Sequence, residues 1–263
     1  MNKNELWTVE KIKSKRKAFF SKFRNFFIFD IETVPDDEMV KNVGTEEEIE
    51  KLENGEFLPT PFHRIVAVSF MTIKNSAVER FISFSSESET SLLNLFWENF
   101  KDAHTKEKNG IKEFPVIITV NGKDFDIPVI KSRSLKHIHH IKYSFYISIF
   151  LDRFDRFENE YPRYTNRYTP YHIDIPLDIF GKKMSLKNLC YLCDISVKTK
   201  GSGDKVPHYF KEKKLEKIAQ YCLEDVKATA QLFAYINQFF LFGSYYFPSF
   251  ENISNIEGEI KVI

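Results

Sequence analysis

Apolar and polar positions along this chain follow two periods in alternation, and the changes from one to the other outline an α/β protein. Phe26-Phe27-Ile28-Phe29 is a short apolar run that closes on Asp30-Ile31-Glu32, and it predicts a first strand over residues 26–31. Residues 64–72 (Arg-Ile-Val-Ala-Val-Ser-Phe-Met-Thr) predict a second strand and residues 77–84 a third. The Lys74-Asn75-Ser76 turn between them makes the three an antiparallel meander. From about Glu89 to Phe100 the apolar positions Leu92, Leu93, Phe96, Trp97 and Phe100 fall at helical spacing. Phe114 to Val120 is an unbroken apolar run, the pattern of a central strand buried on both faces. Ile127 to His137 reads as a helix with Pro128 in its first turn, where proline is tolerated. A strand near His172 to Ile175, a helix near Ser185 to Cys193 and a long helix from about Lys214 to Phe240 complete the pattern.

The candidate chemistry sits where these elements end. In a strand, residues i and i+2 point to one face, so Asp30 and Glu32 project side by side from the first strand. Tyr221 and Asp225 are four apart in the long helix and share a face. Asn121 and Asp126, in Asn121-Gly-Lys-Asp-Phe125-Asp126-Ile-Pro128, follow the central strand, at the carboxyl edge where open α/β sheets collect ligands. Carboxylates of this kind offer oxygen ligands alone, which suit magnesium or manganese.

The order Asp-x-Glu, Asn-x-x-x-Phe-Asp, Tyr-x-x-x-Asp resembles the three motifs of the DEDDy 3′-to-5′ exonucleases, and most of all the stand-alone predicted exonucleases related to the proofreading domain of family B DNA polymerases. A sister class carries histidine five residues before the last aspartate, where this chain has Gln220. The resemblance covers roughly residues 25–240. It implies a ribonuclease H-like fold: a mixed sheet, with the antiparallel three-strand meander followed by parallel strands and helices on both faces. It also implies two divalent cations, Mg2+ or Mn2+, held by Asp30, Glu32, Asp126 and Asp225, with Tyr221 orienting the attacking water. Asn121, Phe125 and the backbone near Thr33 and Val34 would position the terminal nucleotide. The implied substrate is single-stranded nucleic acid with a free 3′ end, DNA favoured over RNA. A ribonuclease D-like exoribonuclease and a catalytically silent nucleic-acid-binding module of the same fold remain open.

Three segments lie outside that core. Residues 1–24 form a basic extension with Trp7, Phe19, Phe20 and Phe23 interleaved, read as a solvated helix packed on the domain, with a phosphate-contacting arm as the alternative. Residues 36–60 are an acidic, helix-prone insertion directly after Asp30 and Glu32, read as a solvent-facing excursion, with an overhang above the site as the alternative. Residues 152–171 alternate arginines with aromatics, which reads either as a sequence-tolerant single-strand contact or as a proline-punctuated loop packed by its own tyrosines. Asn166-Arg167-Tyr168 before His172-Ile-Asp174 resembles a segment of the related exonucleases and implies a role for Arg167 and Tyr168. Residues 241–263 are expected to be a tail. A formal net charge of +1 provides no global field for a polyanion, so local basic segments must meet one. Three cysteines fit a reducing compartment, and Cys190-Tyr-Leu-Cys193 lacks the further ligands a structural zinc needs. His137, His139 and His140 read as surface residues. With no apolar run of membrane-spanning length and no signal-peptide pattern, a cytoplasmic protein with no membrane partner is expected.

Overall fold

The computed structural model describes residues 7–108, 110–148, 162, 164, 169–196 and 205–263. In chain order its elements begin with α1 (Val9–Phe20), β1 (Asn25–Pro35), α2 (Asp37–Val43), α3 (Glu46–Asn54), β2 (His63–Lys74), β3 (Ala77–Ser85) and α4 (Glu89–Ala103). A small hairpin, β4 (Thr105–Glu107) and β5 (Gly110–Glu113), precedes β6 (Val116–Thr119), α5 (Asp126–Lys136) and α6 (Phe145–Ser148). Then come β7 (His172–Asp174), α7 (Leu186–Leu192), α8 (Val206–Lys211), α9 (Leu215–Phe239), α10 (Phe250–Ser254) and β8 (Glu259–Val262).

The six-stranded sheet has the order β7-β6-β1-β2-β3-β8. β1, β2 and β3 pair antiparallel, and the other neighbours pair parallel, so β2 alone runs against the rest. This order and sense is that of the ribonuclease H-like fold. The strand alternation divides the core. Phe26 and Ile28 pack under α9 with Val226, Leu232 and Phe233, whereas Phe27, Phe29 and Ile31 pack under α4 and α5 with Phe96, Trp97 and Ile130. α9 is held to the sheet by a buried stripe at helical spacing, Ile218, Cys222, Val226, Thr229, Phe233 and Ile236. Truncating Phe233, fully enclosed there, to alanine carries a cost of about 3–5 kcal/mol.

The C-terminal segment, set apart from the core by its sequence, adds α10 and the edge strand β8, which pairs with β3 from Ile82 to Ser85. The insertion at 36–60 departs from the expected excursion. Val40, Leu58 and Phe62 form a buried cluster of their own, and Asp36 is tied down by Arg133 and Lys136, each at 2.8 Å. Those anchors fold α2 and α3 back over the end of β1. Most of residues 152–171, including Arg167 and Tyr168, lie outside the described residues. Among the described residues no helix is long and apolar enough to cross a membrane.

Candidate active site

β1 presents Asp30 and Glu32 toward the α9 side of the sheet, and a register shift follows immediately at Glu32/Thr33. That bulge ends the regular alternation just past the two carboxylates. Opposite them on β2 stand the small residues Ser69 and Ala67, which leave room for side chains from α9. Asp30 and Glu32 each lie within 4.8 Å of the Cys222 sulfur and of one another. The Cys222 thiol donates to the Asp30 main-chain oxygen at 3.4 Å and to its Oδ2 at 3.5 Å. One residue before Cys222 is Tyr221 and three after it is Asp225, so one turn of α9 delivers both to the end of β1.

Asp126 arrives from the other side. β6 runs parallel to β1 with Ile118 level with Ile28, so the chain leaving β6 turns over the Asp30 end. The turn is tight: Asn121 has φ 60°, and a Cβ on Gly122 would sit 2.6 Å from the Thr119 side chain, so only glycine fits. Asp174 at the end of β7 fixes the turn, accepting from the main-chain N–H of Asn121 at 3.1 Å and of Lys123 at 2.9 Å. Asp126 then opens α5, and its Oδ1 accepts from the Ile31 N–H at 3.3 Å.

The four carboxylates repel one another in a poorly hydrated space. Burial first, then the charges of Asp126, Glu32 and Asp225, push Asp30 well above the usual carboxylate range. Glu32 is raised in the same way by burial, Asp225 and Asp126. Burial lifts Asp126 to about 7 against two backbone N–H donors, and Asp225 to about 6 against the Tyr221 hydroxyl. Burial and these same acids keep the Tyr221 phenol and the Cys222 thiol protonated. Two unit charges 5 Å apart repel by about 3 kcal/mol at an effective dielectric near 20. Among the described residues no basic side chain pairs with any of the four. An oxygen-rich, hard donor set with this unbalanced charge fits a divalent cation held by Asp30, Glu32, Asp126 and Asp225.

Beside Glu32 opens a cavity of about 1000 Å³. One wall is β1 from Ile31 to Pro35 and the opposite wall is the insertion, through Asp37, Glu38, Glu53, Glu56 and Phe57. Phe57, 72% exposed, lies 4.8 Å from the His63 ring and 5.4 Å from Phe125. His63 locks the insertion to the strand: its Nε2–H donates to the Leu58 carbonyl at 2.9 Å, and its Nδ1 accepts from the Thr33 hydroxyl at 2.9 Å. Burial lowers the His63 pKa, which favours the neutral ring this pairing needs.

A family model described as a predicted 3′-5′ exonuclease related to the exonuclease domain of PolB matches residues 55–241. The chain belongs to that family. The match takes in Asp126, Tyr221 and Asp225, while β1 with Asp30 and Glu32 precedes it. Among solved structures, this predicted exonuclease is similar to the family B DNA polymerase from the hyperthermophilic archaeon Pyrobaculum calidifontis, at 16% identity and a TM-score of 0.48. The similarity covers 84% of this chain and 27% of the polymerase chain. A comparison with curated proteins finds no match.

Within this predicted exonuclease, the remaining expected residues divide. Thr33, Val34 and Phe125 line the cavity. Asn121 does not; its Nδ2 donates to the Met184 carbonyl at 2.9 Å, and its Oδ1 is buried without a partner. Four residues near the site carried no expectation: Cys222, Asp174, Phe57 and His63. Cys222 had a signal, since it lies beside Tyr221 on the face that meets Asp30. His137 is a correction, because its Nε2 pairs with the buried Glu89 carboxylate at 2.8 Å; the acid is remote in sequence, so the histidine cluster showed no partner.

Proposed function

We propose that this protein removes nucleotides one at a time from the free 3′ end of single-stranded nucleic acid, DNA in preference to RNA, and releases nucleoside 5′-monophosphates. One observation carries the reading: Asp30, Glu32, Asp126 and Asp225 converge, with no cationic partner among the described residues, beside an aromatic-walled cavity at the end of β1. Asp30, Glu32, Asp126 and Asp225 would hold two divalent cations, Mg2+ or Mn2+, which when bound would supply Lewis acidity toward the attacking water and the departing 3′ oxygen. The Tyr221 hydroxyl, protonated and beside Asp225, orients the water. Phe57 and Phe125 offer ring faces to the terminal base, a contact worth about 1–3 kcal/mol per base and indifferent to sequence. Thr33 and Val34 flank the sugar. The acids Asp37, Glu38, Glu53 and Glu56 on the far wall disfavour an additional phosphate at the 3′ end. Relation to a DNA polymerase's exonuclease domain favours DNA.

The test is end-labelled single-stranded DNA and RNA incubated with the purified chain, with and without Mn2+. A metal-dependent ladder of products shortened from the 3′ end, faster on DNA and blocked by a 3′-phosphate, is expected. Retention of the strand without cleavage overturns the catalytic reading, and faster RNA laddering overturns the substrate preference.

A further inference from the structure

The end of the sheet opposite the carboxylates carries the contrary charge. Residues 7–24 hold Lys11, Lys13, Lys15, Arg16, Lys17, Lys22 and Arg24 against one acid, Glu10. The whole chain has a formal net charge of only +1, so the rest of the molecule is net acidic. α1 buries none of its residues and is anchored at its end, where Phe20 stacks on Tyr245 at 4.6 Å and Phe23 is enclosed. Its cations sit among exposed aromatic rings drawn from two parts of the chain. Lys15 lies over Trp7 at 4.6 Å, Lys22 over Phe19 at 4.3 Å, Lys13 over Phe242 at 4.7 Å and Arg24 over Tyr246 at 5.0 Å. Trp7 is 61% exposed, and Phe239 and Phe240 at the end of α9 are also exposed.

We infer that this face is a second contact for single-stranded nucleic acid, holding the strand upstream of the end being cut. The inference rests on the exonuclease reading of the carboxylate site. Charge complementarity selects a polyanion, since seven cations are concentrated in α1 and the four residues after it, in an otherwise acidic molecule. The interleaved rings select unpaired bases over duplex, because stacking needs a free base face. The position is suitable. Arg24 immediately precedes β1, and the five residue steps from Asn25 to Asp30 span roughly 17 Å of extended chain. A strand with its 3′ end at Asp30 therefore reaches α1 within a few nucleotides. The acidic cavity wall and the basic face then act in sequence, one admitting only a terminus without an added phosphate and the other holding the phosphates behind it.

The test compares the full chain with a variant carrying Lys13→Gln, Lys15→Gln, Lys17→Gln and Lys22→Gln, and with the matching four Lys→Arg changes. Binding is read by fluorescence anisotropy with a single strand of about 16 nucleotides, in chelator so that no hydrolysis intervenes. The Gln variant should lose at least tenfold in affinity at low salt. Its slope of log K against log salt should shrink by up to about 3, since each single-strand phosphate contact contributes about 0.7. The Arg variant should keep both. Hydrolysis of the p-nitrophenyl ester of thymidine 5′-monophosphate, too small to reach α1, should be equal in all three proteins with Mn2+. Unchanged affinity and slope in the Gln variant overturn the inference. So does wild-type flotation with phosphatidylserine–phosphatidylcholine vesicles that the Gln variant loses while keeping oligonucleotide affinity, which reassigns the face to an anionic membrane. If no protein hydrolyses the ester or the strand, the exonuclease reading fails, while the anisotropy result still decides the binding face.

Discussion

Asp36 and Glu89 are buried carboxylates surrounded by cations, whereas Asp30, Glu32, Asp126 and Asp225 are enclosed or half-enclosed carboxylates with no cation among the described residues. Arg133 reaches both acids of the first group, Glu89 through Nη2 at 2.6 Å and Asp36 through Nη1 at 2.8 Å. Lys136 adds a second cation to Asp36 and His137 adds a ring N–H to Glu89. Glu89 also accepts from the Ile65 N–H at 2.8 Å, so the network joins α2, β2, α4 and α5. Burial works against the Asp36 charge, yet Lys136 and Arg133 outweigh it and hold its pKa down to about 2. At the other group burial and neighbouring acids outweigh the few neutral hydrogen-bond donors, and every pKa rises. The first group is complete and serves packing. The second has no such partner among the described residues, and that is the ground on which we propose it as the working site.

The largest expected effect separates the groups by activity. Asp30→Asn or Asp225→Asn should lower hydrolysis at least a thousandfold, ~4 kcal/mol of transition-state stabilisation, while urea unfolding of the metal-free protein shows stability unchanged or raised. A variant of either kind with near-normal turnover would break the site assignment. Arg133→Met should do the reverse. It strands Glu89 and Asp36 without their shared cation and should cost about 3–5 kcal/mol in the same unfolding measurement.

Acid titration extends the contrast. The depressed Asp36 gives stability that is fully present above its ordinary pKa and is lost as pH falls from about 4 toward about 2. The raised site acids act in the opposite direction. With folded values of about 6 for Asp225 and about 7 for Asp126, the metal-free protein should lose stability as pH rises from about 4 to 7. A double variant Asp126→Asn, Asp225→Asn should flatten that decline in melting temperature. If both proteins decline in parallel across that window, the carboxylates are not the cause.

Saturating Mn2+ or Mg2+ should stabilise the wild-type chain by about 2.7 kcal/mol at a hundredfold excess over Kd and leave the melting of the double variant unmoved. Calcium should raise the melting temperature while supporting little turnover, because its longer, looser coordination places water poorly. The smallest effect belongs to Tyr221→Phe, which removes one hydroxyl and spares every carboxylate. A rate loss of about tenfold, near 1.4 kcal/mol, is expected. A loss equal to that of Asp30→Asn would give Tyr221 more than an orienting role.

What the sequence determined by itself is everything that depends on near neighbours along the chain. Period two put Asp30 and Glu32 on one strand face, and period 3.6 put Tyr221 and Asp225 on one helix face. The unbroken apolar run before Asn121 marked β6 as a central strand, so the carboxyl edge was legible before any contact was known. Tertiary structure alone decided which distant groups meet. His137 has no acid near it in sequence, and only the packing of α5 on α4 brings Glu89 to it. The insertion appeared to be a solvated excursion from its acidic composition, yet Arg133, 97 positions beyond Asp36, folds it into a cavity wall. The strand β8, Glu259-Ile260-Lys261-Val262, alternates polar and apolar over only four residues, too short a run to stand out, and as an edge strand it is held chiefly by backbone pairing to β3. Only the approach of α9 to β1 sets the Cys222 thiol against Asp30. Periodicity is a property of consecutive residues, whereas charge compensation and contact depend on what the fold sets across from each side chain.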